Sequence, residues 1–351
     1  MMNKTKLILA ALPLLLAACA KTAPQPAPVL PEDESSLLTV SFADDTKATT
    51  PTSGEQAISS LHFLVFDSNG NLDVYHKCSS EEITAKKATI TVKTGAKTVW
   101  ALANLKDAEL GSVKTVTELK AVQLDLSDNT TSAFVMVGSA DCTVSSGATP
   151  ATAKISLSRL VSRVTLASVK NSLPTAYGEI TINRAFLSNV VGSCTIGGAQ
   201  SSPTWYNKEG VKDEETRNKS HIIDGSTYAA TCPTLTFASL GSSVAAGSTA
   251  SLAKHFYGYP NSSTVAPNGF NSTFAAQRTV LVVVATINKS TYYYPVVLSS
   301  AVLAANTDYS VTLTISGLGS DEPNKPVVKG SLEASVTVSD WTTGTSYSTT
   351  I

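Results

Sequence analysis

Asn306-Thr-Asp-Tyr309-Ser-Val-Thr-Leu-Thr-Ile-Ser-Gly317 and Gly330-Ser-Leu-Glu-Ala-Ser-Val-Thr-Val-Ser-Asp-Trp341 carry the same pattern twice. In the first, Tyr309, Val311, Leu313 and Ile315 fall on one face; in the second, Leu332, Ala334, Val336 and Val338 do so. Period-2 alternation rich in β-branched residues marks half-buried strands. The joining stretch, Leu318-Gly-Ser-Asp-Glu-Pro-Asn-Lys-Pro326, is dense in breakers, so a terminal strand pair is predicted. Beyond Trp341 the chain continues as Thr-Thr-Gly-Thr-Ser-Tyr-Ser-Thr-Thr-Ile351, polar and β-capable, with no closing element. Such a tail either frays or adds a strand to another sheet edge.

The same texture extends along the chain. Ser, Thr, Ala and Val abound and long amphipathic helical patterns are scarce, the profile of an exported all-β protein. With 26 basic and 27 acidic residues, nothing points to nucleic acid or to a highly charged partner. At the N-terminus, Lys4 and Lys6 precede an apolar core from Leu7 to Leu16, followed by Ala17-Ala18-Cys19. About ten apolar residues are too few for a permanent span, so residues 1–18 read as a cleaved export signal. Its end looks like a bacterial lipobox, which implies a lipid on Cys19. Residues 19–36 include Lys21-Thr-Ala-Pro-Gln-Pro-Ala-Pro-Val-Leu-Pro31, a semi-rigid extended tether. The chain beyond this tether is long enough for about two domains.

Leu38-Thr-Val-Ser-Phe42 is a short alternating strand, and the following residues up to Gly54 are loop by composition, with Lys47 in their middle. Residues 58–66 are nearly continuous in apolar character, which predicts an interior strand covered on both faces, closed by the tight turn Asp67-Ser-Asn-Gly70-Asn. Residues 88–104 read as strand, turn at Gly95, strand. One helix is expected between Ser112 and Leu124, where Val113, Val116 and Leu119 recur at near-helical spacing. Strand resumes at 134–138 and 153–169, with a domain boundary near 151–158. Further strands are expected at 178–187, 251–259, 278–287 and 291–298. A long polar loop at 197–226 carries Trp205-Tyr206 and a charged run over 208–219.

The chemistry-bearing residues do not cluster. His62, His76, His221 and His255 show no HExxH or HxH spacing, and His62 lies inside an apolar strand as a core residue would. Besides Cys19, the thiols Cys78, Cys142, Cys194 and Cys232 form neither a metal motif nor a CxxC pair. No GxSxG, phosphate loop or dinucleotide fingerprint occurs. Asp44-Asp45 reads as solvated loop acid. The Asp67 turn lacks the bidentate Glu of a calcium loop. Arg159 and Arg163 share one strand face, where a paired structural role is expected. No catalytic residue, metal site or cofactor is expected, and the chain does not read as an enzyme.

Several segments in order resemble the Bacteroidales fimbrillins, the subunits of type V pili. They are Leu61-His-Phe-Leu-Val-Phe-Asp-Ser-Asn-Gly70, Thr98-Val-Trp-Ala-Leu-Ala-Asn104, Leu157-Ser-Arg-Leu-Val-Ser-Arg-Val164 and Phe256-Tyr-Gly-Tyr-Pro-Asn261, then Tyr292-Tyr-Tyr-Pro295, Asn306-Thr-Asp-Tyr309 and Val338-Ser-Asp-Trp341. The resemblance implies two transthyretin-like β-sandwich domains, 37–157 and 158–341, with a short helix in the first, and a donor-strand tail at 342–351. It implies a structural role in a surface fimbria, with accessory tip and anchor subunits and an adhesion partner. The route it implies starts from an outer-membrane lipoprotein precursor. A trypsin-like surface protease removes the first strand, 37–43, by cutting in the loop 43–57. The groove left by Leu38, Val40 and Phe42 is then filled by the tail of the next subunit, where Trp341, Thr343, Thr345, Tyr347, Thr349 and Ile351 share a face.

One departure bears on that route. Stalk subunits of the family are typically cut after Arg, whereas Lys47 is the lone basic residue between Pro31 and Leu61. Cleavage there leaves Ala48 as the new N-terminus; without it, the subunit keeps its first strand and serves as an anchor. From outside the family, a monomeric surface lipoprotein binding glycan or host protein is the alternative.

Overall fold

The computed structural model describes residues 34–44, 54–199, 204–208, 234–266, 276–298, 303–327, 332–340 and 347–350. The export signal with Cys19, residues Lys47 and Ala48, His221, Cys232, most of the charged run, and Trp341, Thr343, Thr345 and Ile351 lie outside the described residues.

The first half contains β1 (Ser35–Asp44), β2 (Leu61–Phe66), β3 (Leu72–Lys77), β4 (Lys87–Lys93), β5 (Gly95–Ala103), β6 (Gln123–Asp125), β7 (Met136–Val144) and β8 (Ala151–Arg159). Seven of these pair in the order β3-β2-β5-β7-β8-β1-β4. Between β7 and β8 the pairing runs through Met136–Arg159 and Val137–Ser158 and stops there. The sheet therefore folds over at that corner into two layers. Leu38, Val40, Phe63, Val99, Ile90 and Ile155 meet between them in one core.

The apolar run of β2 is buried at every position. Successive side chains point to opposite faces, so Leu61, Phe63 and Val65 enter the sandwich core while Leu64 and Phe66 enter a second one. That second core spans both halves of the chain. It joins Leu64, Leu102 and Phe134 to Val161, Tyr257 and Tyr259, with the Phe134 and Tyr257 rings 4.7 Å apart.

The second half contains β9 (Ser162–Asn171), β10 (Ile180–Ser188), β11 (Val190–Val191), β12 (Ser193–Thr195), β13 (Trp205–Tyr206), β14 (Phe237–Val244), β15 (Thr249–Gly258), β16 (Val280–Ile287), β17 (Ser290–Val297), β18 (Thr307–Ile315), β19 (Leu332–Asp340) and β20 (Tyr347–Thr350). A four-stranded sheet, β14-β10-β16-β17, packs on a five-stranded one, β15-β9-β18-β19-β20. The terminal pair forms as its alternation predicts, with Tyr309 opposite Val338 and Ile315 opposite Leu332. Two short ribbons, β11 with β13 and β6 with β12, complete the pairing. Trp205 and Tyr206 are half-buried against the shared core, and the Tyr206 hydroxyl donates to Asp125 Oδ1 at 2.9 Å. The all-β sandwich class is therefore the observed one.

Three local expectations are corrected. Residues 153–169 are two strands in different sheets, broken at Leu160 and Val161, because Val161 is drawn into the shared core. The turn at Gly95 does not join neighbours: β4 pairs with β1, and β5 with β2 and β7. Both strands present apolar faces to the same core, so Gly95, at φ 113°, carries the chain from one layer to the other. The helix expected over 112–124 occupies Val116–Ala121, and short helices at Ser80–Ala85 and Asp107–Leu110 accompany it.

Candidate functional site

Of the residues singled out by sequence, Leu38, Val40 and Phe42 lie together on β1 and in the groove that holds it. β1 runs antiparallel to β4 from Ser35–Lys93 to Ser41–Lys87, and parallel to β8 from Leu38–Ala151 to Asp44–Leu157. It is thus hydrogen-bonded along both edges. Alternation turns Leu38, Val40 and Phe42 inward, and they are 0, 0 and 5 % exposed. Phe42 faces Phe63 with ring centroids 6.2 Å apart, and its backbone N–H donates to the Lys86 carbonyl at 3.2 Å. On the outer face, the Thr39 and Thr89 hydroxyls are 3.1 Å apart. Taking β1 away would leave an apolar slot flanked by two unpaired strand edges, an arrangement that recruits another strand.

The walls of that slot have separate supports. β4 is an edge strand whose ladder partner is β1. At its far end the Lys93 N–H donates to Asp73 Oδ2 at 3.1 Å, and the same carboxylate receives Lys97 Nζ at 2.8 Å, with both side chains nearly dry. Asp73 lies on β3, so this contact draws the two outer strands of the folded sheet together. The helix Ser80–Ala85 leads directly into β4, and its N-cap is a reciprocal pair in which Ser79 and Glu82 bond each other's backbone N–H.

Glu55 lies just after the segment that follows β1 and is fully buried. Arg163 Nη1 donates to Glu55 Oε2 at 2.8 Å, and the Tyr257 hydroxyl donates to Oε1 at 2.5 Å. Arg159 reaches the Glu55 carbonyl through Nε and Nη2 at 3.1 and 2.8 Å. Arg163 continues to Asp308, with Nε on Oδ1 at 3.1 Å and Nη2 on Oδ2 at 2.9 Å. These charge-assisted bonds hold the Arg163 guanidinium above its usual pKa although burial opposes them. The paired structural role expected for Arg159 and Arg163 is what the geometry gives, and both converge on Glu55. Sequence reading had no signal for Glu55, a single acid in a polar stretch whose partners lie 104 to 202 residues away.

The described residues of the tail belong to the other sandwich. β20 pairs antiparallel with β19, Tyr347 opposite Val338 and Thr350 opposite Ser335. Of the tail residues, Tyr347 and Thr349 are thereby placed on the edge of their own sheet.

The remaining candidates have structural explanations. His62 is fully buried, with Nδ1 2.9 Å from the Tyr75 hydroxyl and Nε2 3.3 Å from the Leu105 carbonyl. Asp67 Oδ1 accepts the N–H groups of Asn69 and Asn71 at 2.9 and 2.8 Å, the bonding of a turn. Cys78, Cys142 and Cys194 are free thiols, and burial pushes Cys194 up to about 12.

The family of the Major fimbrial subunit protein (FimA) matches residues 37–162. It is a family of structural subunits, not of enzymes. No curated protein sequence matches the chain. Among solved structures, a Bacteroides eggerthii protein provisionally assigned to cell adhesion is 22% identical, with a TM-score of 0.59 over 88% of this chain and 97% of that one. A fimbrilin (FimA) of Porphyromonas gingivalis is 13% identical, with a TM-score of 0.60 over 88% and 98%. The tip fimbrial protein Mfa3 of the same organism is 16% identical, with a TM-score of 0.54 over 88% and 100%. At these identities the likeness is one of fold, and it extends along both sandwiches.

Proposed function

We propose that the chain, whose residues 37–162 match the family of the Major fimbrial subunit protein (FimA), is a structural subunit of a cell-surface pilus and polymerises by exchange of its first strand. The observation that carries this reading is β1 itself. It is N-terminal, paired along both edges, sealed into the core by Leu38, Val40 and Phe42, and followed at once by the segment containing Lys47.

In this reading the precursor is lipidated at Cys19 and held at the outer membrane. A trypsin-like surface protease cuts after Lys47, Ala48 becomes the N-terminus, and β1 departs with the excised piece. The tail of the next subunit, about 342–351 with Trp341, Thr343, Thr345, Tyr347, Thr349 and Ile351 on one face, enters between β4 and β8. The exchange is favourable in pairing. On its own subunit β20 has a one-sided seat of four register pairs, whereas β1 has seven on each side. Donation from tail to groove is a heterologous contact that does not close, so it builds a filament of the domains 37–157 and 158–341. Accessory tip and anchor subunits and an adhesion target are its further partners.

A second reading, an uncleaved anchor subunit, is favoured by one feature, the lack of Arg between Pro31 and Leu61. Surface-sheared protein run without boiling, beside a chain ending at Trp341, separates the two. A ladder whose bands begin at Ala48 and which vanishes with the tail supports the stalk subunit. A single band beginning at Cys19 and indifferent to the tail defeats it.

A further inference from the structure

The turn between β3 and the helix Ser80–Ala85 gathers three donor groups that no sequence motif announces. His76 and Cys78 are two residues apart along an extended chain and project to the same side. Glu82 returns to them from the first helical turn. A His76 ring nitrogen, Cys78 Sγ and a Glu82 carboxylate oxygen all lie within 4.8 Å of one another. His76 Nε2 is 3.1 and 3.0 Å from the two Glu82 oxygens. Cys78 is buried, while the His76 and Glu82 side chains are 28 and 26 % exposed, so the cluster opens to solvent on one side.

Two of the three groups are already aimed. The His76 ring is stacked on Phe63, 6.4 Å between centroids and 10° between planes. Glu82 Oε2 is fixed by the Ser79 N–H at 2.8 Å. We propose that His76, Cys78 and Glu82 form a binding site for a divalent cation of the zinc class, with water completing the shell. One imidazole, one thiolate and one carboxylate suit a borderline-soft ion of tetrahedral preference and disfavour magnesium or calcium, which take oxygen ligands. Zinc–ligand bonds of about 2.0–2.3 Å put donor atoms roughly 3.5 Å apart, so side-chain rotation alone closes the cluster. On binding, the thiol proton goes to solvent, and the Nε2 proton held against Glu82 gives way to the metal, the ring keeping a proton on Nδ1 instead.

The site adjoins the groove. Phe63, beneath His76, also faces Phe42, and the Lys86 carbonyl at the end of the same helix accepts the Phe42 N–H. A bound cation would therefore tie the helix to β3 beside the seat of the first strand. This inference does not depend on how the subunit is processed.

The present contacts alone make a His76–Glu82 hydrogen bond and a helix cap, neither of which needs sulfur. Chelator-stripped full-length chain is titrated with Co2+ and followed by absorption. One equivalent is expected to give the visible bands of a tetrahedral centre and a thiolate-to-cobalt charge-transfer band, displaced by Zn2+ but not by Mg2+. Cys78→Ser and His76→Gln should each weaken binding by more than about tenfold, the lower bound for losing even a partner of a ligand, and Cys78→Ser should abolish the charge-transfer band. Glu82→Gln, which keeps the helix cap, should weaken it too, and Cys142→Ser should change nothing. Absence of stoichiometric binding by the unaltered chain overturns the proposal whatever the variants do, as does a charge-transfer band that survives Cys78→Ser.

Discussion

Removing everything before Ala48 should leave the first sandwich at the edge of stability. Leu38, Val40 and Phe42 are buried to within 5 %. Each such side chain contributes roughly 1.5–3 kcal/mol, so their loss costs about 5–9 kcal/mol before any cavity penalty. Seven register pairs on each flank of β1 are lost with them. A domain is typically stable by about 5–15 kcal/mol, so the loss takes most of it. The second sandwich keeps its own strands, and calorimetry of residues 48–351 should therefore resolve two transitions. The earlier one is expected at least about 10 °C below that of the full chain. A synthetic peptide of residues 35–44 should raise that transition in a concentration-dependent way, as any ligand of the folded state does. The same peptide with Val40→Asp should not. A 48–351 chain melting within about 2 °C of the full chain, or one indifferent to the peptide, would refute the idea that the first strand is an exchangeable part of the core.

Three further outcomes are expected from the geometry. Glu55→Ala strips Arg163 and Tyr257 of a buried acceptor and should cost about 3–5 kcal/mol, whereas Glu55→Gln should cost clearly less; equal melting points for the two would show that the charge is irrelevant. His62 and His255 both have pKa values lowered chiefly by burial. Their stabilising contribution is complete above the unfolded value of about 6.5 and declines as pH falls below it, so denaturant midpoints should drop under pH 6.5 and the drop should shrink in a His62→Asn, His255→Asn double variant. A Cβ at Gly138 would collide with the Ser156 carbonyl and stand 2.7 Å from the Ile155 side chain at the corner where β7 meets β8, so Gly138→Ala should lower the melting temperature by several degrees, against no loss for Gly111→Ala, where the backbone is right-handed and the space open.

What could be read from the sequence was what depends on neighbours in the chain. The β2 run, the Asp67 turn and the terminal pair each declare themselves through a local period or a turn residue. The reciprocal caps Ser79–Glu82 and Thr115–Glu118 were also written there, and would have placed the helices at Ser80–Ala85 and Val116–Ala121. β14 escaped because its Ser- and Gly-rich alternation, Phe237–Val244, leaves most positions part-exposed at a sheet edge. Apart from that terminal pair, partnership was not legible. β4 and β5 are consecutive yet occupy different layers, since alternation says which face a side chain takes but not which strand lies alongside. Glu55 is the plainest case: its meaning resides in Arg159, Arg163 and Tyr257, and no period links them.

The parallel pairing of β1 with β8 bears on the order in which the molecule assembles. The N-terminal strand is made first, yet the residues beside it, such as Ala153 next to Ser41, arrive 112 residues later. Loop closure over that distance delays the contact. β2, β3 and β5 have nearer partners and can condense meanwhile, and β1 can meet β4 early, so that its other edge waits for β8. The edge between β1 and β8 is thus the last of the groove to close, and it is the edge along which a strand from another molecule would find room to pair.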